Sequence, residues 1–183
     1  MRVISGRAKG AKLFSPHGDK TRPTSDFVKE NLFNIIGRDI VDVAFLDLFA
    51  GSGAIGIEAL SRGASSATFI DISAKSIGLV RRNLEKTGLS SSASVIKSDA
   101  AAAVKAFAGQ QFSIIFLDPP YEVGLGDKVL AQIAAADILA AGGCIVLEQS
   151  KTRQAPDIFG LFVADAREYS STRLVFYERE VQQ

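Results

Sequence analysis

The chain has 183 residues, 47% of them apolar and 22% charged, with a formal net charge of +1. That fits one globular domain with a substantial core. No apolar run approaches the ~18 residues of a membrane span, the start lacks the apolar segment of a signal peptide, and the single cysteine, Cys144, excludes an internal disulfide and fits a reducing cytoplasm.

The basic charge is uneven. Residues 1–38 carry eight Lys or Arg against three acids, a balance of +5, while residues 39–183 carry thirteen against seventeen, a balance of −4. A phosphate-binding arm on a nearly neutral body explains this; a solvated terminus does so too. Arg2 to Ser5 and Ala11 to Phe14 read as two short strands of a hairpin, with Arg7, Lys9 and Lys12 projecting from it. His17, the only histidine, lies in a loop and reads as solvated rather than catalytic. Ser25 or Asp26 is expected to cap a helix with Phe27, Val28, Leu32, Phe33, Ile35 and Ile36 on its apolar face and Gly37 at its end.

Val43 to Leu48 reads as a buried strand. Gly51-x-Gly53-x-x-Gly56 follows, opening a helix that stops at Gly63. Strand, glycine turn and helix together hold nucleotide-like ligands, because the new helix points unpaired N–H groups at the turn. The turn also occurs simply where a strand must become a helix. Asp47 stands near the strand's carboxyl end, and Asp71 ends the next apolar run, Ala67 to Ile70, where a carboxylate can accept from ribose hydroxyls. An adenosine-type cofactor is expected.

Ser73 is expected to cap a helix running to Thr87, with Ile77, Val80 and Leu84 buried and Gly88 as its stop. Arg81, Arg82 and Lys86 read as a solvated face rather than an RNA patch. Ser94 to Ile96 is a short strand. Asp99 then starts an alanine-rich helix, as its cap or as a ligand-facing acid. Phe112 to Leu117 reads as a central strand, followed at once by Asp118-Pro119-Pro120-Tyr121. Two prolines fix a rigid turn at the carboxyl edge of the sheet. It offers a carboxylate, the Pro119 carbonyl and an aromatic face, which match an amino group on a planar base. Gly124 to Gly126 reads as a mobile entrance loop, and Lys128 to Leu139 as a helix. Gly142-Gly143 precedes a strand, Cys144 to Leu147, in which the thiol packs as a small hydrophobe. Glu148 ends that strand and could face the site, although it reads first as a structural or solvated acid. Phe159 to Asp165 and Thr172 to Tyr177 form a last hairpin. No Cys and His cluster suggests a metal. The alternation of strands and helices gives an α/β three-layer sandwich.

Asp47-x-x-x-Gly51-x-Gly53 with Asp118-Pro119-Pro120-Tyr121 resembles class I S-adenosylmethionine-dependent methyltransferases that modify amino nitrogens. With Arg22 to Asp26, Glu30 to Asn34, Leu46 to Gly53, Glu58 to Ala64 and Phe116 to Tyr121, the chain is similar to the RsmD family from Arg2 to about Tyr177. Those are bacterial small-subunit ribosomal RNA guanine-N2 methyltransferases, named for guanine 966 of 16S rRNA. One difference is Asp71, where Glu is often found.

The resemblance implies a Rossmann-like, mostly parallel seven-stranded sheet, order 3-2-1-4-5-7-6, with strand seven antiparallel and a hairpin-plus-helix extension. It implies a single domain over 1–183, with 1–38 as the RNA-binding extension and 39–183 as the catalytic core. S-adenosylmethionine would meet Asp47, Phe49, Gly51, Ser52, Gly53, Asp71, Ile72, Asp99 and Ala100. Catalysis would fall to Asp118, Pro119, Pro120 and Tyr121. Arg7, Lys9, Lys12, Arg22 and Thr24 would hold 16S rRNA, in an assembled or assembling 30S subunit. A monomer without metal or membrane is expected. Alternatives are methylation of adenine N6 or of a protein glutamine, a nicotinamide-dependent oxidoreductase, and a non-enzymatic RNA-binding module.

Overall fold

The computed structural model describes residues 1–15, 23–120 and 124–180. Seven strands form one sheet: β1 (Ala44–Asp47), β2 (Ser66–Asp71), β3 (Ala93–Lys97), β4 (Phe112–Leu117), β5 (Leu139–Ser150), β6 (Leu161–Tyr169) and β7 (Thr172–Arg179). Their order is β3-β2-β1-β4-β5-β7-β6, as expected. The first five run parallel, and β7 is antiparallel to both β5 and β6. Parallel strands covered on both faces must be apolar throughout, which is why Phe112 to Leu117 has no polar alternation beyond Ser113.

The helices are α1 (Pro23–Ile36), α2 (Ala54–Arg62), α3 (Ala74–Thr87), α4 (Ala100–Ala106) and α5 (Leu125–Ala136). Two cores result. One lies between the sheet and α1, α2 and α3, and takes Phe45, Phe116 and Val146 from the strands. The other lies against α4 and α5, and takes Ile115, Leu117, Ile145 and Leu147. The two-residue period of a strand divides these side chains between the faces. Among the described residues no helix is long and apolar enough to cross a membrane.

Several boundaries differ from expectation. Helix α1 begins at Pro23, so Asp26 lies in its first turn rather than at its cap; proline's fixed φ and missing N–H suit a first helical position. Helix α5 begins at Leu125, with Gly124 as its cap, so the expected entrance loop is its first turn. It ends at Ala136 because Asp137 turns left-handed (φ 55°), and Ile138 and Leu139 pass to the connection and to β5. Strand β5 runs through Gly142 and Gly143, and position 143 needs glycine because a Cβ there would lie 2.7 Å from the Ser113 carbonyl oxygen. Strand β6 starts at Leu161 and extends to Tyr169. Burial, with Glu178 adding to it, pushes the Cys144 thiol up to about 12, as befits a packed and unreactive group.

The expected amino-terminal strands reduce to a single antiparallel bridge, Arg2 with Lys12. Val3 N–H still reaches the Ala11 carbonyl (3.0 Å) and Leu13 N–H the Met1 carbonyl (3.1 Å). Lys9, Gly10 and Ala11 N–H donate within the arm, to the Gly6, Val3 and Ala8 carbonyls, and other donors of the arm go to helices. Ile4 and Ser5 N–H donate to Glu58 at 2.8 and 2.9 Å, and Arg7 N–H donates to the Ser61 carbonyl at 2.8 Å. A segment that spends its donors on side chains cannot form a long ladder.

Candidate active site

The carboxyl ends of β1, β4 and β5 open into a cavity of about 170 Å³. Met1, Lys29, Asp47, Phe49, Ala50, Gly51, Ser52, Ala54, Ile55, Phe116, Asp118 and Glu148 line it. Ligands bind at this edge of open α/β sheets. The strand period explains the convergence. Phe45, Phe116 and Val146 face the core beside α1 to α3, so Asp47, Asp118 and Glu148, two residues on, face the same side.

The turn after β1 takes Gly51 and Gly53 through left-handed angles (φ 55° and 79°), and Gly53 caps α2. Gly56 serves packing instead, because a Cβ there would lie 2.3 Å from the Phe69 ring. Asp47 is 1% exposed. Its Oδ2 accepts from Gly56 N–H at 3.4 Å, while its Oδ1 has no partner. Burial pushes its carboxyl up to about 7, against the Gly56 N–H and with Asp118 adding to the rise. An orphaned acceptor on a cavity wall fits a ligand that brings a cationic donor. The amino acid end of S-adenosylmethionine carries one.

Asp71 is a brace. Its Oδ2 accepts from Gly51 N–H at 2.9 Å and its Oδ1 from Ser73 N–H at 2.8 Å. Each oxygen keeps a second lone pair that could meet a ribose hydroxyl. Ile72 is exposed at the end of β2, and Asp99 is exposed after β3, where it caps α4 by accepting from Ala102 N–H at 3.0 Å. Asp71, Ile72, Asp99, Ala100 and Gly53 are outside the cavity lining, as are Pro119 and Pro120. Tyr121, Arg22 and the side chain of Thr24 lie outside the described residues, as does His17.

Asp118 is crowded by protein, which pushes its carboxyl up to about 6, yet its own surface is exposed to the open cavity and water still reaches it. The solvent limits the rise; a base filling the cavity would remove that limit. Glu148 stands beside it. Burial first, then the Asp118 charge, pushes Glu148 up to about 8. The reading of Glu148 as a structural or solvated acid is therefore corrected: it faces the site. An acid directly after the apolar run Cys144 to Leu147 was the signal, like the one that marked Asp118, although β5 itself continues to Ser150.

Lys29 and Glu58 were missed as well. Lys29 Nζ donates to the Arg2 carbonyl and forms an ion pair with Glu58 at 3.2 Å, both side chains being at most 2% exposed. Arg62 donates to Glu58 at 2.8 Å. Burial lowers the Lys29 pKa, and Glu58 opposes that fall. Lys29 precedes Phe33 by one helical turn, so a charge stood on the apolar stripe of α1. Asn83 sits likewise on the stripe of α3. Its amide accepts from Phe14 N–H at 2.8 Å and donates to the Phe14 carbonyl (3.0 Å) and the Ser52 carbonyl (2.8 Å). It ties the amino-terminal arm to the glycine turn.

Arg7, Lys9 and Lys12 are exposed on that arm. Arg82 and Lys86 are not simply solvated, because both sit over the Phe14 ring, at 4.3 and 4.4 Å. Among the described residues no group of three or more His, Cys, Asp and Glu could hold a metal ion.

A family model described as "Conserved hypothetical protein 95" matches residues 1–178. YlbH of Bacillus subtilis (strain 168) is 41% identical over 182 residues, 98% of this chain and 99% of that one. Ribosomal RNA small subunit methyltransferase D of Escherichia coli (strain K12) is 37% identical over 158 residues, 86% of this chain and 79% of that one. The solved structure of yhhF from Escherichia coli superposes with a TM-score of 0.88 at 34% identity, covering 100% of this chain and 99% of that chain.

Proposed function

Because the chain belongs to the family of ribosomal RNA small subunit methyltransferase D, we propose that it methylates the N2 amino group of a guanine in 16S rRNA, guanine 966 being the expected target. One observation carries the chemistry. The Asp118 turn opens into the cavity whose wall holds the unpartnered Asp47 oxygen, so a cofactor and an acceptor base can meet there.

When bound there, S-adenosylmethionine supplies an electrophilic methyl on its sulfonium. Asp47 Oδ1 takes the ammonium of the amino acid end. Asp71, Ile72, Asp99 and Ala100 form the cradle for ribose and adenine. Asp118 and the Pro119 carbonyl accept from the two N2 hydrogens and turn the nitrogen lone pair toward the methyl. The guanine amino group is weakly basic because its lone pair is delocalised into the ring. Bound S-adenosylmethionine would supply the methyl and leave as its thioether, and the proton lost from N2 would go, during or after attack, to the Asp118 carboxylate or to water. Most of the rate comes from positioning and from excluding water. Tyr121 stacks on a base that has left its RNA stack or lies in a loop. Residues 1–38 hold phosphates, through Arg7, Lys9, Lys12, Arg22 and Thr24, and fix register; residues 39–183 perform the chemistry. The substrate is an assembled or assembling 30S subunit, and the enzyme works as a monomer.

The test is labelled-methyl transfer onto unmodified subunits, with mass spectrometry of the nucleosides. N2-methylguanosine is expected, and Asp118→Ala should lower turnover about 100-fold or more, the scale for a positioned polar catalytic group. Label in adenine or in protein would assign the enzyme to another acceptor.

A further inference from the structure

Glu148 has no task in the chemistry above. Among the described residues its carboxylate makes no hydrogen bond and no ion pair. It is nonetheless placed by the sheet. Leu117 pairs with Leu147 in the parallel β4–β5 ladder, so the next residues, Asp118 and Glu148, stand side by side at the carboxyl edge. Both line the same cavity. A free acid beside Asp118 costs desolvation and like-charge repulsion, and no hydrogen bond or ion pair within the described chain compensates it.

The geometry points to Glu148 as the acceptor for the N1–H of the target guanine, the contact that sets base specificity. This rests on the guanine-N2 reading given above. On guanine's Watson–Crick edge the N1–H donor is the immediate neighbour of the N2 amino group. A base whose N2 hydrogens face Asp118 and the Pro119 carbonyl therefore presents N1–H to the position beside Asp118. Adenine and 2-aminopurine carry a lone pair at N1 in place of that hydrogen, and a carboxylate facing it is repelled. Burial first, and then the neighbouring Asp118 charge, hold Glu148 toward its protonated form. An N1–H donor favours the ionised form, so guanine itself supplies the partner that the charge lacks. A site built to bond a substrate N–H discriminates strongly against an analogue without it.

The experiment uses the full chain at about pH 8.5, above the value of about 8 to which Glu148 is pushed, so that its carboxyl is ionised, and 30S subunits reconstituted with either guanine or 2-aminopurine at the methylated position. Both carry the N2 amino group and differ at N1 and C6. Wild type should favour guanine in kcat/KM by about ten-fold or more, the lower part of the range for a base-reading contact. Glu148→Gln should narrow that ratio toward one, because a carboxamide can accept from N1–H or donate to N1. Its S-adenosylhomocysteine affinity should stay near wild type and its thermal midpoint should rise rather than fall, because the buried charge and its repulsion with Asp118 are gone, which separates the role from a structural one. Equal wild-type activity on both bases would overturn the proposal without need of the variant. So would a Glu148→Gln loss of the same factor on both. If wild type transfers no methyl to the natural guanine, the guanine-N2 reading and this inference fall together.

Discussion

Replacing Glu58 by Gln tests whether one buried carboxylate holds the amino-terminal arm on the body. Glu58 is fully buried and takes four donors: Ile4 N–H at 2.8 Å, Ser5 N–H at 2.9 Å, Arg62 Nε at 2.8 Å and Lys29 Nζ at 3.2 Å. Gln has the same shape but turns an N–H₂ toward two of these donors and removes the charge. Lys29, 2% exposed, keeps the Arg2 carbonyl and the Asp26 charge. Breaking a buried pair from one side costs about 3–5 kcal/mol, a large share of the ~5–15 kcal/mol that holds a domain together. At a slope of about 2 kcal/mol per molar the urea midpoint should fall by roughly 2 M. The chain has no tryptophan, so far-UV circular dichroism is the suitable signal. The pH dependence has a definite sign. Burial already lowers the Lys29 pKa below 10.5, with Glu58 resisting, and without Glu58 it falls further. Unfolded lysine then holds a proton that folded lysine has shed, so the variant gains stability as pH rises from its lowered folded pKa toward 10.5, and its deficit narrows. Lys29→Met with Glu58→Gln should lose less than Glu58→Gln alone, since the most buried cation is no longer stranded and only Arg62, 15% exposed, loses its counter-charge. A midpoint shift under roughly 0.25 M, the size of an ordinary surface substitution, would refute the reasoning.

Asp47→Asn should flatten one part of the stability–pH curve. The Asp47 carboxyl rises from 3.8 to about 7 on folding, so its contribution is fully present below 3.8 and is lost as pH climbs through about 7; urea midpoints from pH 4 to 8 would reveal the loss of that slope in the variant. Changing Arg7, Lys9 and Lys12 together to Ala should lower the slope of log K against log salt for RNA by about 2, at roughly 0.7 per single-strand phosphate contact. S-adenosylhomocysteine binding should stay near wild type, and an unchanged salt slope would return those charges to plain surface.

The sheet was legible because each parallel strand is an apolar run ending in an acid or a turn. Asp47, Asp71 and Asp118 all stand at such ends, and Asp47 and Asp118 meet in one cavity. Glu148 also follows an apolar run, but β5 continues past it to Ser150, so no turn marks it as a site acid. What stayed hidden was long-range. Nothing near Glu58, Lys29 or Asn83 in the chain tells that their polar atoms meet the arm, since the partners lie 27 to 69 positions away. The arm's strands failed for the same reason, its donors being claimed by α2. Helix α5 was misplaced because Gly124 and Gly126 suggest a loop, while Gly124 caps the helix and Gly126 packs buried between Leu147 and Pro119.

The arm is made first and can settle only late. Ile4 and Ser5 wait for residue 58, Ala8 for residue 61, and Phe14 for residue 83. A chain emerging amino end first holds fifteen residues with no docking surface until α2 and α3 have both formed on the sheet. Closure of such distant contacts is slow compared with helix growth. The order of the arm therefore reports on the completeness of the glycine turn behind it, because Asn83 joins Phe14 to Ser52. A chain stalled or truncated before residue 83 would present its basic residues loose, and protease cleavage after Lys9 or Lys12 would time the moment at which the site closes.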